Sequence, residues 1–179
     1  LEGEYENHFQ PLLRALNRME AIIEDTLTLS RQGETVGEMH PVNLAKICRK
    51  SWKGVATKQA SLEIIDEITI QGDSDRLQHV FENLFRNAVK HGGKNVTVKV
   101  GYTEEGCLYI EDDGGGIPPE KRDVVLEAGH TSASGGTGFG LSIVNRIAEA
   151  HGWEVDVTES ETGGARFEFA GIDVSENDR

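Results

Sequence analysis

The chain has 179 residues, with 18 Lys and Arg against 31 Asp and Glu, a formal net charge of −13. That acidic balance argues against nonspecific attraction to nucleic acid or to anionic membrane surfaces. Hydrophobic residues make up 37%, enough for one ordinary packed domain and an added element, and no run of about 18 apolar residues is available to span a bilayer.

Phe9 to Ser30 carries Leu12, Leu13, Leu16, Met19, Ile22, Ile23, Thr26 and Leu27 at helical spacing, which predicts one long helix stopped at Arg31-Gln32-Gly33. No partner helix precedes it, so its stripe needs another surface, such as a second copy of the chain in a homodimer. Residues 34–40 are polar, contain glycine and predict a linker. Pro41 and Asn43 introduce a second helix through Thr57, with Leu44, Ile47, Cys48, Ser51 and Val55 inward. Leu62-Glu63-Ile64-Ile65 and Ile68-Thr69-Ile70 predict two short strands.

Asp73 or Ser74 caps a strong helix whose face is Leu77, Val80, Phe81, Leu84, Phe85 and Ala88. Val96, Val98, Val100 and Tyr102 alternate as a strand, and Leu108, Ile110 and Asp112 alternate in the next, with Gly106 between them. A polar, glycine-rich loop from Pro118 to Gly136 leads into a helix from Phe139 to Ala150. Trp153 to Thr158 and Ala165 to Phe169 form a hairpin around Thr162-Gly163-Gly164. Residues 173–179 are expected to be disordered. Helices and antiparallel strands segregated in this way, without strand–helix–strand alternation, predict an α+β two-layer sandwich preceded by one long helix.

Cys48 and Cys107 stand apart without metal-ligand spacing and read as reduced thiols of a cytosolic domain. No signal peptide is visible, and a chain that opens on Leu1 is expected to be cut from a longer one.

Three patches carry chemistry. On the helix from Ser74 to His91, Asn83, Asn87 and Lys90 form a stripe beside the apolar face. Such a border is either a solvated polar face or the wall of a cleft. Amide oxygens are hard ligands suited to Mg2+, and Lys90 and His91 at the helix end suit phosphate. Asp112 shares strand parity with Leu108 and Ile110, so it should point to the buried side, where a carboxylate needs a donor. The glycines at 114, 115 and 116 let backbone approach a ligand closely; the alternative is a turn aspartate before a bend. The third patch, Gly136-Thr137-Gly138-Phe139-Gly140-Leu141, is not a dinucleotide fingerprint, because a flexible loop precedes it and Leu141 holds the sixth place. It keeps the physical core of such turns, backbone N–H groups at a helix start that favour phosphate, behind a loop able to act as a lid.

In order and spacing these patches resemble the N, G1 and G2 boxes of the GHKL (Bergerat-fold) ATPases, with wording closest to sensor histidine kinases, over roughly Pro41 to Ile172. The resemblance implies a GHKL-type two-layer α/β sandwich that binds ATP and Mg2+. Asn87 then matches the Mg2+-bearing asparagine, Lys90 and His91 the phosphate-contacting positions, and Asp112 the adenine reader. Gly114, Gly116 and Ile117 complete the G1 pattern. It also implies that residues 1–33 are the second helix of a dimerisation and phosphoacceptor hairpin, and that a response regulator receiver domain is the downstream partner. The module would be cytoplasmic, with membrane attachment only if an upstream part supplies it.

The chain departs from the pattern in several places. Leu126 stands where the stretch before the lid usually carries Phe, the lid has no arginine, and Ala165 replaces a hydroxyl residue. No H-box is present: His8 is followed by Phe9-Gln10-Pro11, and too few residues separate it from Arg31 for two antiparallel helices. The isolated chain is therefore expected not to phosphorylate itself.

Three functions compete at this point: a kinase module phosphorylating histidine, a hydrolytic GHKL ATPase, and a non-catalytic nucleotide-binding or dimerisation module. Hydrolytic relatives place a glutamate base four residues before the Mg2+ asparagine; here that place is Asn83, which cannot accept the proton.

Overall fold

The computed structural model describes residues 19, 37–55, 59–93, 95–127 and 139–175. The predicted N-terminal helix therefore lies outside the described residues, apart from Met19, which is helical and exposed.

Strand β1 (His40–Asn43) runs into helix α1 (Leu44–Lys53), followed by β2 (Ser61–Ile64) and β3 (Thr69–Gly72). Helix α2 (Ser74–His91) leads to β4 (Thr97–Tyr102) and β5 (Leu108–Asp112). A short α3 (Pro119–Arg122), the helix α4 (Gly140–Ala150) and the hairpin β6 (Glu154–Glu159) and β7 (Ala165–Ala170) complete the order.

The main sheet has the order β2-β4-β5-β7-β6, and β1 pairs with β3 in a separate two-stranded sheet. One face of the main sheet is apolar. Val98, Val100, Leu108, Ile110, Val157, Phe167 and Phe169 are buried and join the apolar faces of α1, α2 and α4 in one core. The helical stripes are the predicted ones: Leu77, Val80, Phe81, Leu84, Phe85 and Ala88 of α2 are all buried. Phe81 and Phe85 stack at 5.9 Å, and Trp52 meets Phe85 edge-on at 5.3 Å. Each such pair adds about 0.5–1.5 kcal/mol beyond the area it buries.

The other sheet face is charged. Register sets Glu63, Lys99, Glu111 and Arg166 side by side across four strands. Arg166 bonds Glu111 at 2.8 Å and lies over the Tyr109 ring at 4.1 Å.

Four expectations need correction. β2 and β4 pair in parallel, so the sheet is mixed; the chain between them passes through β3 and α2. Pro41 belongs to a strand rather than a helix, and the helix stops at Lys53, where the Gly54 N–H bonds back to Ser51 and Trp52. The loop after Pro118 contains α3, whose Arg122 donates to the Ile117 carbonyl at 2.9 Å and to Glu159 at 2.9 Å. Finally, residues 173–175 are ordered. Val174 is buried and bridges Ile70, and the N–H groups of Gln71 and Ser175 close bonds to Asp173 and Thr69 carbonyls. Residues 176–179 lie outside the described residues.

His151 ties the end of α4 to the start of α2. Its Nε2 accepts from the Asp73 N–H at 3.0 Å, and its Nδ1 lies 2.7 Å from the Ile147 carbonyl. A carbonyl only accepts, so the proton sits on Nδ1 and the ring must stay neutral. Burial holds the imidazole below its ordinary 6.5, opposed by the Ile147 bond and Asp73, with Arg76 pushing the same way as burial. A depressed histidine lets the unfolded chain take up a proton first, so stability falls as pH drops from 6.5 to the folded value. Thermal melts from pH 8 to pH 5 are expected to show that fall, and His151→Gln to flatten part of it. An unaltered slope in the variant would contradict this role.

Candidate functional site

Helix α2 is the spine of the site. Asp73 starts it, accepting from the N–H groups of Asp75 and Arg76 at 3.1 and 3.2 Å. Its apolar face sits in the core, which leaves a border where Asn83 and Asn87 are half-buried and Lys90 and His91 emerge exposed. The Asn83 amide donates to the His79 carbonyl at 2.9 Å. Among the described residues the Asn87 amide has no hydrogen-bond partner. A half-buried amide left open beside the Lys90 ammonium and the His91 imidazole suits a hydrated hard cation held near anionic oxygens.

The glycine turn after β5 closes on the end of this helix. A Cβ on Gly114 would overlap the Cα of Gly92, the residue that caps α2. Gly116 takes φ 68° and leaves no room for a side chain beneath the Gly163 carbonyl. Ile117 packs against the core. Asp113 points outward and accepts from the Thr97 N–H at 2.8 Å, extending the ladder.

Asp112 ends the inward row, opposite Val98. Its Oδ1 accepts from the N–H groups of Gly114 at 2.9 Å and Ala165 at 3.3 Å. Among the described residues its Oδ2 has no partner. Burial pushes the Asp112 carboxyl above the usual aspartate value, against the two N–H bonds that pull it down. A carboxylate oriented through one oxygen and open at the other, in a partly dry setting, is an acceptor waiting for a donor. His91 is close enough to feel that charge. Burial first and then Lys90 push its imidazole down, while Asp112 pulls it up.

The described part of the third patch meets the same helix at Asn83. Phe139 stands at the N-terminus of α4 with no side-chain cap, so the first N–H groups of that helix are not taken by a capping side chain. The Ser142 hydroxyl donates to the Phe139 carbonyl at 2.8 Å and shapes this start. A Cβ on Gly140 would lie 2.9 Å from the Asn83 Oδ1, so the start of α4 rests on α2. Leu141 is half-buried and packs on the core. Gly136, Thr137 and Gly138 lie outside the described residues.

The structure thus sets the described parts of all three patches around α2. Sequence reasoning missed the second support of Asp112, the turn between β6 and β7. The Ser160 hydroxyl donates to the Asp112 carbonyl at 2.8 Å and accepts from the Gly164 N–H at 2.8 Å. A hydroxyl just before a Gly–Gly turn was the available signal.

The family described as histidine kinase-, DNA gyrase B-, and HSP90-like ATPase matches residues 72–175. The chain is 32% identical to the sensor protein RstB of Escherichia coli over 90% of its length and 40% of RstB. It is 30% identical to the sensor histidine kinase ZraS of Salmonella typhimurium over 92% of its length and 37% of ZraS. It therefore spans well under half of these curated relatives. The mycobacterial sensor histidine kinase MprB superposes with a TM-score of 0.65 at 26% identity, covering 73% of this chain and 95% of that structure.

Proposed function

The chain belongs to the histidine kinase-, DNA gyrase B-, and HSP90-like ATPase family, as an ATP-binding catalytic domain of the sensor histidine kinase type, and we propose from that premise that it passes the γ-phosphoryl group of ATP to a histidine on a helical hairpin. In this reading Asp112 accepts the adenine amino group through its open oxygen. The α4 amides from Gly140 onward, the glycine-rich stretch 136–138 and Lys90 and His91 hold the phosphates. The open Asn87 amide fits Mg2+, which when bound would neutralise phosphate charge. The chain's own work is then positioning and charge neutralisation.

One observation favours transfer over hydrolysis. The place where hydrolytic relatives carry a general base is Asn83, whose amide donates to the His79 carbonyl and packs against the start of α4. The neighbouring Glu82 accepts from Gln78 at 2.6 Å and faces Gly54 at the end of α1, so it does not serve as a substitute. Neither position offers a carboxylate free to take a proton from water.

The partners implied are the histidine-bearing hairpin, a second copy of the chain through the N-terminal helix, and a response regulator receiver domain. Among the described residues no helix is long and apolar enough to cross a membrane, and an ATP-dependent module belongs on the cytoplasmic side.

A single-turnover assay with γ-labelled ATP tests this. The chain alone is expected to gain no acid-labile, base-stable label, and a supplied phosphoacceptor hairpin is expected to acquire it. Release of free phosphate without hairpin labelling would favour the hydrolytic reading. Binding with neither product would favour a non-catalytic module.

A further inference from the structure

We propose that Ser160 is a positioning residue for base recognition: its hydroxyl locks the backbone that carries Asp112, and so sets which base the site accepts. The inference rests on the adenine-reading role of Asp112 given above and names the group that enforces it.

Ser160 lies at the end of β6, is 5% exposed, and is one of three buried polar residues among the described ones. Its partners can be counted. The Asp112 carbonyl, 2.8 Å away, only accepts, so the Ser160 proton goes there. The Gly164 N–H at 2.8 Å takes one lone pair of the hydroxyl oxygen. Thr162 Oγ1 at 3.1 Å must then donate to the other. All the capacity of this hydroxyl is spent, so it has none left for a ligand. Its effect passes through Asp112.

The surrounding turn is built to the same end. The Ser160 N–H bonds the Gly164 carbonyl at 2.9 Å and the Gly163 N–H bonds the Ser160 carbonyl at 3.0 Å, which folds 160–164 into a rigid bend. A Cβ on Gly164 would overlap the Asp112 carbonyl oxygen, so only glycine lets the bend reach β5. The next residue, Ala165, gives its N–H to Asp112 Oδ1 at 3.3 Å. Asp112 is therefore held at its carbonyl by Ser160 and at one carboxylate oxygen by Ala165, and the orientation of the open Oδ2 follows from both. Without the hydroxyl, the Asp112 carbonyl and the Gly164 N–H lose their partner, and the bend that places the Ala165 N–H loses its tie to β5.

The test compares MgATP and MgGTP in displacing a fluorescent ATP analogue from wild type, Ser160→Ala, Ser160→Thr and Thr162→Ala, with thermal melts on each. Ser160→Ala is expected to lower the ATP-over-GTP preference at least about tenfold, the scale of one lost hydrogen bond. Its effect should fall on ATP and spare GTP, and Ser160→Thr should restore the preference. A purely structural role would weaken both nucleotides alike; that result, or an unchanged ratio, overturns the proposal. Should Ser160→Ala fail to fold, Thr162→Ala at its exposed position decides: a smaller drop in the ratio supports the clamp and no drop overturns it. Wild type without any ATP preference would instead sink the Asp112 reading and this inference with it.

Discussion

Replacing Asp112 by Asn is expected to erase the preference for ATP over GTP while leaving the fold at least as stable. The carboxamide keeps the shape and an oxygen for the Gly114 and Ala165 N–H groups, so the support of residue 112 survives. What changes is the open position, where an N–H2 donor now meets the adenine amino group, also a donor. In wild type the open carboxylate oxygen accepts from adenine and faces an oxygen in guanine, which sets a discrimination on the order of 2–4 kcal/mol. Most of that should vanish, and ATP affinity with it. The stability sign follows from the raised carboxyl value. The folded chain binds this proton more tightly than the unfolded one, so the ionised carboxylate is a cost at neutral pH that Asn removes. The same raised value makes wild-type ATP affinity decline on acidification above the ordinary aspartate range. Calorimetry with both nucleotides and a melt of each protein check all of this; retained ATP selectivity in the variant would refute the assignment.

The second large effect is expected at Asn87. Its amide is half-buried on α2 and has no partner among the described residues, so truncation to Ala removes a ligand without stripping the core. Mg2+-dependent ATP affinity should fall by roughly 10- to 100-fold, the scale of one interaction with a charged group, with the melting temperature nearly unchanged. Affinity without Mg2+ should hardly move. Equal MgATP affinity in wild type and Asn87→Ala would remove the residue from the site.

Much of this architecture was legible because burial imposes period on sequence. The faces of α2 and α4, and the alternation in β4 and β5, stand out at 3.6 and 2 residues. Asp112 was legible for the same reason: a carboxylate in the parity of Leu108 and Ile110 breaks a rule that its neighbours obey. The missed parts have no period. β1 is four residues beginning His40-Pro41, and proline at an edge position looks like a helix start when the helix-capping Asn43 follows. Val174 is a lone apolar residue in a polar tail, held by its bridge to Ile70 and by its neighbours' backbone bonds to Thr69 and Gln71, which local pattern does not announce. The parallel pairing of β2 with β4 joins segments that are not consecutive strands, and local pattern carries no record of it. Ser160 sits in a polar turn where a hydroxyl is ordinary; only the fold brings it to Asp112.

The nucleotide site claimed for this chain lies on the helix-covered face of the sheet, around α2. A shallow depression toward the opposite face is lined by Glu63, Lys99, Glu111 and Asp113 and reaches Asp112 itself, but its row alternates in charge and is partly spent on the Arg166 pair. Amide shifts in an NMR titration of the 179-residue chain with MgATP separate the two directly. Perturbations are expected together at Asn87–Gly92, Asp112–Ile117 and Gly136–Leu141, with Lys99, Tyr109 and Glu168 nearly silent. Shifts confined to the charged face, or to only one of the three patches, would contradict a single site assembled from all of them.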